Sequence, residues 1–270
     1  MADNPTRALA LVTGASSGIG AALARELARH GHDLVLTARR APELEALAAE
    51  LRGLGAAATV LATDLSVPGA ARTLVVDIAA RGLDVDVLID NAGFGDVGSF
   101  VNADADRMDA MVELNVGALT TLARALLPGM VRRRRGRVML VSSTAGFLPG
   151  PNMAVYCATK AYVLSLGEAI ARELRGTGVT VTTLCPGATH SGFAGASGAD
   201  ALPLFKSAIV PRMSSEQVAR TGYRAMMRGK PVIITGAVNK LVAYSGRLFP
   251  RAIVFPVARM LIGNADVTHK

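Results

Sequence analysis

Short apolar runs alternate with longer amphipathic stretches along most of the chain, and this alternation restricts the fold more than any other feature of the sequence. Apolar runs of this length, bounded by turn residues, are typical of strands buried on both faces of a sheet. The candidate strands are residues 8–13, 33–37, 57–62, 85–90, 137–142, 179–185 and 232–235. The candidate helices are residues 19–30, 41–54, 68–81, 103–133, 155–175 and 215–227. Such an alternation predicts βαβ units and a parallel sheet.

The fold class follows from the order of these elements. Right-handed crossovers between successive strands predict an α/β fold, in which a doubly wound, seven-stranded and mostly parallel sheet carries helices on both faces. A chain of 270 residues can form one such domain. Neither an internal repeat nor a low-complexity linker marks a boundary, so we predict a single domain over residues 1–270.

Two stretches interrupt the alternation. Residues 188–213 have no clear period and contain several glycines and prolines; a loop of that length is usually functional, so we predict a mobile substrate loop. Residues 236–270 form a C-terminal extension that is apolar but interrupted by arginines and prolines. It covers the active-site mouth, packs on another subunit, or rests on a membrane surface. The membrane contact is the least favoured, because interfacial helices usually show a cleaner polar face.

Composition and charge restrict the possible partners. Hydrophobic residues make up 51% of the chain and charged residues 19%, which excludes a disordered protein. The net charge is +8, and the densest basic run, Arg132 to Arg135, lies just before the strand at 137–142. Cations suit a helix C-terminus, and no aromatic residues interleave with the run to stack nucleic-acid bases. We therefore interpret it as a solvated helix end and expect no nucleic-acid partner.

The few cysteines and histidines predict neither a disulfide framework nor a metal site. Cys157 and Cys185 lack metal-ligand spacing, and the four histidines form no metal motif. The apolar run at 8–12 is too short for a signal-peptide core. No uncharged apolar run approaches the ~18 residues that cross a bilayer. We expect a cytoplasmic protein.

A glycine-rich turn at residues 13–20 follows the first strand and opens the first helix, with glycines spaced as GxxxGxG. Glycines in this place let the backbone approach a pyrophosphate, whose charge then meets the free N–H groups of a helix N-terminus. The candidate cofactor-binding residues of this turn are Gly14, Ser16, Ser17, Gly18, Ile19 and Gly20.

Two other patterns compete with this interpretation. Residues 93–98 match GxGxxG and follow a strand, but residues 99–106 do not open a periodic helix, so lining the cofactor cleft is the favoured role. Residues 14–18 also match GxSxG, the nucleophile elbow of serine hydrolases, with His190 or His269 to complete a triad. A hydrolase is the less favoured alternative, because it leaves Gly20 and the residues described next unexplained.

The residues after the second strand indicate which dinucleotide binds. An NAD site needs an acidic residue at this strand end, to bind the ribose 2′-hydroxyl. This strand instead ends in Ala38-Arg39-Arg40, with no carboxylate before Glu43. A guanidinium pairs well with a 2′-phosphate, so we predict NADP(H) in preference to NAD(H), with Arg39 and Arg40 as ligands.

Tyr156 and Lys160 form a candidate acid/base pair. Residues at i and i+4 share one helix face, and an ammonium ~6 Å from a phenol at an effective dielectric of ~20 contributes about 3 kcal/mol, or roughly two pKa units. We therefore expect Lys160 to lower the pKa of Tyr156. Ser142 and Ser143 end the strand at 137–142, at the carboxyl edge where open α/β sheets bind ligands.

Taken in order, these motifs resemble the short-chain dehydrogenase/reductase family over at least residues 8–235, a family with a Rossmann fold. The matching pieces are residues 13–20, Asp64-Leu65, Asn91-Ala92-Gly93, Asn115, Ser143, Tyr156, Lys160 and Pro186-Gly187. Two positions depart from the family pattern. Asp90 stands where the family often has Asn, which adds a charge, and Ser191 stands where it often has Thr.

The resemblance implies catalytic roles for the matching residues. Tyr156 is expected to deliver a proton to the carbonyl oxygen while hydride reaches the carbon. Ser143 is expected to hydrogen-bond that oxygen, and Lys160 to hold the nicotinamide ribose. Asn115 is expected to anchor a water that relays protons to Lys160. In the alternative interpretation, Asn115 only satisfies backbone groups and Ser143 only caps a strand end.

The resemblance also assigns the remaining cofactor contacts. Asp64, with Leu65, is expected at the adenine, and Asn91, Ala92 and Gly93 beside the cofactor. Pro186, Gly187 and Thr189 are expected to border the nicotinamide. We interpret His190 as a surface residue and Cys157 as an inert thiol.

The expected function is the reversible reduction of a small-molecule ketone or aldehyde to an alcohol. The candidate pocket residues are Phe94, Phe147, Leu148, Phe193, Leu202 and Phe205. Because they are apolar, they favour a hydrophobic substrate. The family often pairs subunits through its helices, so we expect a homodimer or homotetramer. A non-catalytic NADPH-sensing regulator is the alternative, but a sensor would not need Asn115, Ser143, Tyr156 and Lys160 together.

Overall fold

The structure is a computed structural model that describes residues 7–202 and 212–248. Its strands are β1 (Leu9–Thr13), β2 (Asp33–Thr37), β3 (Ala58–Val60), β4 (Val85–Asp90), β5 (Gly136–Val141), β6 (Val179–Cys185), β7 (Thr189–His190), β8 (Met213–Ser214) and β9 (Val232–Ile234). Seven of them form one sheet in the order β3-β2-β1-β4-β5-β6-β9, and every pair in it is parallel. The predicted fold class is confirmed. The strand order reverses between β1 and β4, where such sheets form a ligand crevice.

The helices cover both faces of this sheet. They are α1 (Gly18–Arg29), α2 (Ala41–Gly53), α3 (Ala70–Ala80), α4 (Ala105–Val112), α5 (Leu119–Arg132), α6 (Ala154–Glu173), α7 (Phe193–Ser197), α8 (Ser215–Met227) and α9 (Ala237–Leu248). Ala10 and Val12 of β1 pack towards α1, α2 and α8, whereas Leu11 between them packs towards α3, α5 and α6. Successive side chains of a strand point to opposite faces, so a sheet covered on both sides needs an unbroken apolar run.

The helix predicted at 103–133 is not a single regular α-helix. A π-helical turn, Glu113–Ala118, separates α4 from α5 and contains Asn115. Such turns widen the helix locally and are frequent at functional sites. The segment Ala105–Arg132 is long and apolar enough to cross a membrane by length and composition, which alone is weak evidence. Leu122 and Met130 of this segment are buried in the core beneath the sheet.

The arginine run closes α5, as predicted. Arg133 donates to Asp84 Oδ1 at 3.2 Å and to the Val85 carbonyl oxygen at 2.9 Å. Arg135 donates from Nη2 to both carboxylate oxygens of Asp86, at 3.0 and 3.1 Å. The basic residues therefore neutralise acidic groups at the amino end of β4.

The described parts of residues 188–213 contain short regular elements. They begin with β7 and α7, and β7 pairs with β8 through Thr189 with Met213 and His190 with Ser214. The two described ends of the segment therefore lie side by side. Residues 203–211 lie outside the described residues, and the mobility of this segment stays a prediction. Of the C-terminal extension, α9 packs on the 3₁₀ turn Thr144–Phe147, and residues 249–270 lie outside the described part.

Candidate active site

The predicted site residues meet at the carboxyl edge of the central strands. The glycine-rich turn follows β1, Asn91 to Gly93 follow β4, Ser143 follows β5, and Pro186 and Gly187 follow β6. Helix α6 brings Tyr156 and Lys160 to the same edge, where both are buried.

The glycine-rich turn leaves the start of α1 open to an anion. Gly14 and Gly18 have φ values of +63° and +57°, a region that favours glycine. A Cβ on Gly20 would lie 2.3 Å from the Gly14 carbonyl oxygen. The N-cap residue Ser17 makes no side-chain cap bond, and no acidic residue lies in the first turn. The exposed N–H groups and the helix dipole therefore suit a pyrophosphate.

A polar brace joins this turn to the end of β4. The Thr13 hydroxyl donates to Asp90 Oδ1 at 3.0 Å and accepts from the N–H groups of Asn91 and Ala92, at 2.9 and 2.8 Å. The Asn91 side chain donates back to the carbonyl oxygens of Thr13 and Gly14, at 3.0 and 3.3 Å. Both turns are thus held in one arrangement. Our sequence-based site residues did not include Thr13, although a hydroxyl at a strand end beside a glycine turn is a usable signal.

Tyr156 and Lys160 lie close together on α6. The Lys160 ammonium lies 5.9 Å from the centroid of the Tyr156 ring. The Phe193 ring on α7 packs on Tyr156, with centroids 5.3 Å apart. A Cβ on Gly95 would lie 2.8 Å from Phe193 and 3.1 Å from Tyr156. Gly95 of the GxGxxG pattern therefore lies beside the tyrosine, and the role of this pattern in lining a cofactor cleft stays a prediction.

The expected lowering of the Tyr156 pKa is not found. Burial raises the pKa of Tyr156, and the Ser143 hydroxyl opposes that rise by hydrogen bonding. The Lys160 ammonium donates to the Val141 carbonyl oxygen at 3.0 Å instead. Burial also lowers the pKa of Lys160 to about 8, although the Asp90 carboxylate opposes this change. Desolvation outweighs the attraction between phenolate and ammonium that the sequence suggested.

Ser143, rather than its neighbour Ser142, contacts Tyr156. The Ser142 hydroxyl donates to the Lys160 carbonyl oxygen at 2.7 Å and so holds α6 on the sheet. The Ser143 hydroxyl accepts from the Ala145 N–H at 3.1 Å, which caps the 3₁₀ turn Thr144–Phe147. It also contacts the Tyr156 phenol. The Ser143 hydroxyl therefore both caps this turn and orients the Tyr156 phenol.

The Asn115 side chain holds the chain after β4. Its amide nitrogen donates to the Phe94 carbonyl oxygen at 2.9 Å and to Thr159 Oγ1 at 3.1 Å, and its oxygen accepts from the Phe94 N–H at 3.1 Å. A Cβ on Gly93 would lie 2.8 Å from this oxygen and 3.2 Å from the Lys160 ammonium. The amide thus satisfies backbone groups, and the water relay stays a prediction.

The two arginines after β2 differ in their contacts. Arg40 donates to Ser16 Oγ at 3.1 Å and pairs with Glu43 at 3.0 Å. Arg39 is exposed and makes no hydrogen bond or ion pair within residues 7–202 and 212–248. Its guanidinium is therefore available to a 2′-phosphate, while Arg40 organises the turn. The Ser16 contact also argues against a serine nucleophile, because its partner is a guanidinium.

The remaining predicted residues follow β3 and β6 in the chain. Asp64 Oδ1 accepts from the N–H and hydroxyl of Ser66, at 3.0 and 2.6 Å, while Leu65 is buried. The Thr189 hydroxyl donates to the Gly187 carbonyl oxygen at 2.9 Å. A Cβ on Gly187 would lie 2.3 Å from the Asn239 amide, so α9 packs directly on this loop. The sequence offered no signal for Asn239.

The apolar candidates divide between two places. Phe94, Phe193 and Leu202 pack with Tyr156, whereas Phe147 packs with Cys185 and Ile234 in another cluster. Leu148 is half-buried, and Phe205 lies outside the described residues. His190 is exposed, and burial raises the pKa of the Cys157 thiol to about 11.

Comparison with known proteins shows the family to which the chain belongs. The family described as short chain dehydrogenase matches residues 8–201. The oxidoreductase UcpA of Escherichia coli strain K12 is 35% identical over 179 residues, covering 66% of this chain and 68% of that protein. The chain belongs to the short-chain dehydrogenase family and is an NAD(P)-dependent oxidoreductase.

Two solved structures are similar over most of their length. A short-chain dehydrogenase from Sphingobium yanoikuyae in complex with NADPH is 31% identical, with a TM-score of 0.78 and coverage of 97% of this chain and 98% of that chain. The bulky-bulky ketone specific alcohol dehydrogenase of Comamonas testosteroni is 30% identical, with a TM-score of 0.75 and coverage of 89% and 92%.

Proposed function

We propose that this protein is an NADP(H)-dependent oxidoreductase that interconverts a hydrophobic ketone or aldehyde and the corresponding alcohol, with Tyr156 as the general acid/base. The observation that carries the proposal is the convergence of Tyr156, Lys160 and Ser143 at the carboxyl edge of the sheet, the same edge at which α1 begins. Both cysteines are buried as thiols and form no disulfide, in keeping with a reducing cytoplasm.

The cofactor preference is supported by charge at the end of β2. The exposed Arg39 guanidinium suits the 2′-phosphate of NADP(H), and the N-terminus of α1 suits the pyrophosphate. NADPH in the similar Sphingobium structure supports the same preference. Glycines at 14, 20, 93 and 187 stand where a Cβ would collide, which keeps the backbone close to the cleft.

Tyr156 is a protonated phenol at neutral pH. Burial raises its pKa, which makes it a weaker acid but keeps it in the form that gives a proton to a carbonyl oxygen during reduction. The Ser143 hydroxyl, in contact with the phenol, orients the same oxygen. Lys160, with a pKa of about 8, exchanges protons near neutral pH and returns one to Tyr156. When bound, the dinucleotide supplies the hydride.

The substrate class is supported by the side chains around Tyr156. Phe193 packs on its ring, and Phe94, Met153 and Leu202 belong to the same apolar cluster. An apolar wall favours a bulky carbonyl compound without charges near the carbonyl. The Comamonas relative, which is specific for bulky ketones, supports this class. We also propose a homodimer or homotetramer, because the family often pairs subunits through its helices, and light scattering in solution measures it.

The decisive test is NADPH consumption over a panel of ketones and aldehydes, with Tyr156→Phe beside Tyr162→Phe. Tyr162 lies on the same helix, is 38% exposed and contacts Thr120. We expect Tyr156→Phe to lower kcat/KM at least ~100-fold while NADPH binding, measured by fluorescence, is kept. We expect Tyr162→Phe to stay active. NADPH binding without turnover of any carbonyl would favour the sensing regulator.

A further inference from the structure

Asp90 ends β4 as a buried carboxylate with an incomplete set of hydrogen bonds. It is 2% exposed. Its Oδ1 accepts from the Thr13 hydroxyl, whereas Oδ2 has no hydrogen-bond partner among the described residues. A buried carboxylate oxygen without a partner is costly, and each such group needs an explanation. An amide or an apolar side chain would avoid the cost of burying a charge.

Lys160 brings the opposite charge to the same edge of the sheet. Asp90 is in register with Leu140 of β5. The next residue, Val141, accepts the hydrogen bond from the Lys160 ammonium. Gly93, three residues after Asp90, also faces this ammonium, since a Cβ there would lie 3.2 Å from Nζ. Two opposite charges in a buried space attract strongly, because little water screens them.

We propose that Asp90 is a positioning residue whose carboxylate is the buried counter-charge of the Lys160 ammonium and sets the pH range over which Lys160 stays protonated. This role rests on the proposed function, in which Lys160 returns protons to Tyr156. Among residues 7–202 and 212–248, the other titratable groups near the Lys160 ammonium are Tyr156 on α6 and Cys185 at the end of β6. A phenol and a thiol are weaker acids than a carboxyl group, so Asp90 is the neighbour best suited to carry negative charge.

The two groups oppose the effect of burial on each other. Burial raises the pKa of Asp90 to about 7, and Lys160 and the Thr13 hydrogen bond hold it down. Burial lowers the pKa of Lys160 to about 8, and Asp90 holds it up. Without the Asp90 charge, the Lys160 ammonium loses its proton at a lower pH.

The first experiment compares the pH profiles of kcat/KM for wild type, Asp90→Asn and Asp86→Asn. Asn at 90 keeps an oxygen acceptor for the Thr13 hydroxyl and removes the charge. Asp86 is a buried carboxylate on the same strand, but it pairs with Arg135 at the opposite end. We expect Asp90→Asn to move the alkaline limb about one pH unit towards acid and Asp86→Asn to leave it in place. Profiles that coincide for wild type and Asp90→Asn would overturn the proposal.

The second experiment needs neither cofactor nor substrate. Urea unfolding of wild type, Asp90→Asn, Lys160→Met and the double variant forms a double-mutant cycle. At about pH 7.5, between the pKa values of about 7 and about 8, both groups are charged in part of the molecules. We expect non-additive unfolding midpoints there and nearly additive ones at about pH 5, where folded Asp90 is protonated. Additivity at both pH values would overturn the proposal.

The two experiments separate this proposal from the proposed function. If no carbonyl compound is reduced but the cycle is non-additive near pH 7.5, the charge pair stands and the reaction is wrong. If carbonyl reduction proceeds but the cycle is additive, the reaction stands and Asp90 serves only the Thr13 brace.

Discussion

The two ends of β4 each carry a buried aspartate, and the surroundings of the two differ. Asp86, at the amino end, is bound by the Arg135 guanidinium through both carboxylate oxygens, with Arg133 close by at 3.9 Å. Asp90, at the carboxyl end, has one hydrogen bond from Thr13 and an oxygen without a hydrogen-bond partner among the described residues. The strand thus carries a fully hydrogen-bonded ion pair near its amino end and a carboxylate with an incomplete set of hydrogen bonds at its carboxyl end.

The two ends of β4 therefore differ in what they contribute, one to stability and the other to function. At the amino end, arginines at the end of α5 pair with aspartates and neutralise their charge. At the carboxyl end, Asp90 and Lys160 are ionisable groups buried away from water, beside glycines where no side chain fits. Proteins keep such unfavourable arrangements mainly at functional sites. Changes at the carboxyl edge should therefore affect activity or cofactor binding, whereas changes at the amino edge should affect stability alone.

The largest expected effect is that of Gly20→Ala. The new Cβ would lie 2.3 Å from the Gly14 carbonyl oxygen, inside a turn that cannot shift without losing its brace to Asn91. We expect loss of NADPH binding and destabilisation by more than about 3 kcal/mol. Gly53→Ala is the matched control, because nothing lies within 4 Å of a Cβ at that helical position. Unchanged NADPH affinity of Gly20→Ala would contradict the assigned phosphate turn.

Thr13→Val should have the next largest effect. It keeps the shape of the side chain but leaves two backbone N–H groups and the Asp90 carboxylate without their partner. We expect a loss of about 3 kcal/mol in the free energy of unfolding, with weaker NADPH binding, as measured by urea titration and fluorescence. Thr13→Ser should restore most of both. Equal behaviour of Val and Ser variants would show that the hydroxyl does not brace the turns.

The smallest effect belongs to the amino edge. Arg135→Ala removes a side chain that is 65% exposed, and Arg133 remains beside Asp86. We expect a loss of about 1 kcal/mol in unfolding free energy, partly masked at high salt, and unchanged kcat/KM. If Arg135→Ala markedly lowered activity without lowering the free energy of unfolding, the amino edge would not serve stability alone, and the contrast between the two edges would be wrong.

The fold could be predicted because it depends on local patterns, and the same patterns selected the candidate site residues, whose roles stay predictions. Apolar runs buried on both faces define the central strands, and β4 and β6 end where the sequence indicated. The edge strand β3 is shorter than predicted, since it pairs only with β2. The π turn around Asn115 could not be predicted, because its hydrogen bonds reach Phe94 and Thr159 in other parts of the chain.

The order of residues along the chain therefore determined the parallel sheet, the glycine-rich turn and the spacing of Tyr156 and Lys160. The tertiary structure alone decided the protonation chemistry. Whether a phenol, an amine or a carboxyl group is charged depends on how much water and which neighbours surround it, and those neighbours come from β1, β5 and β6. Sequence spacing placed the two side chains on one helix face, but burial decided the direction of each pKa.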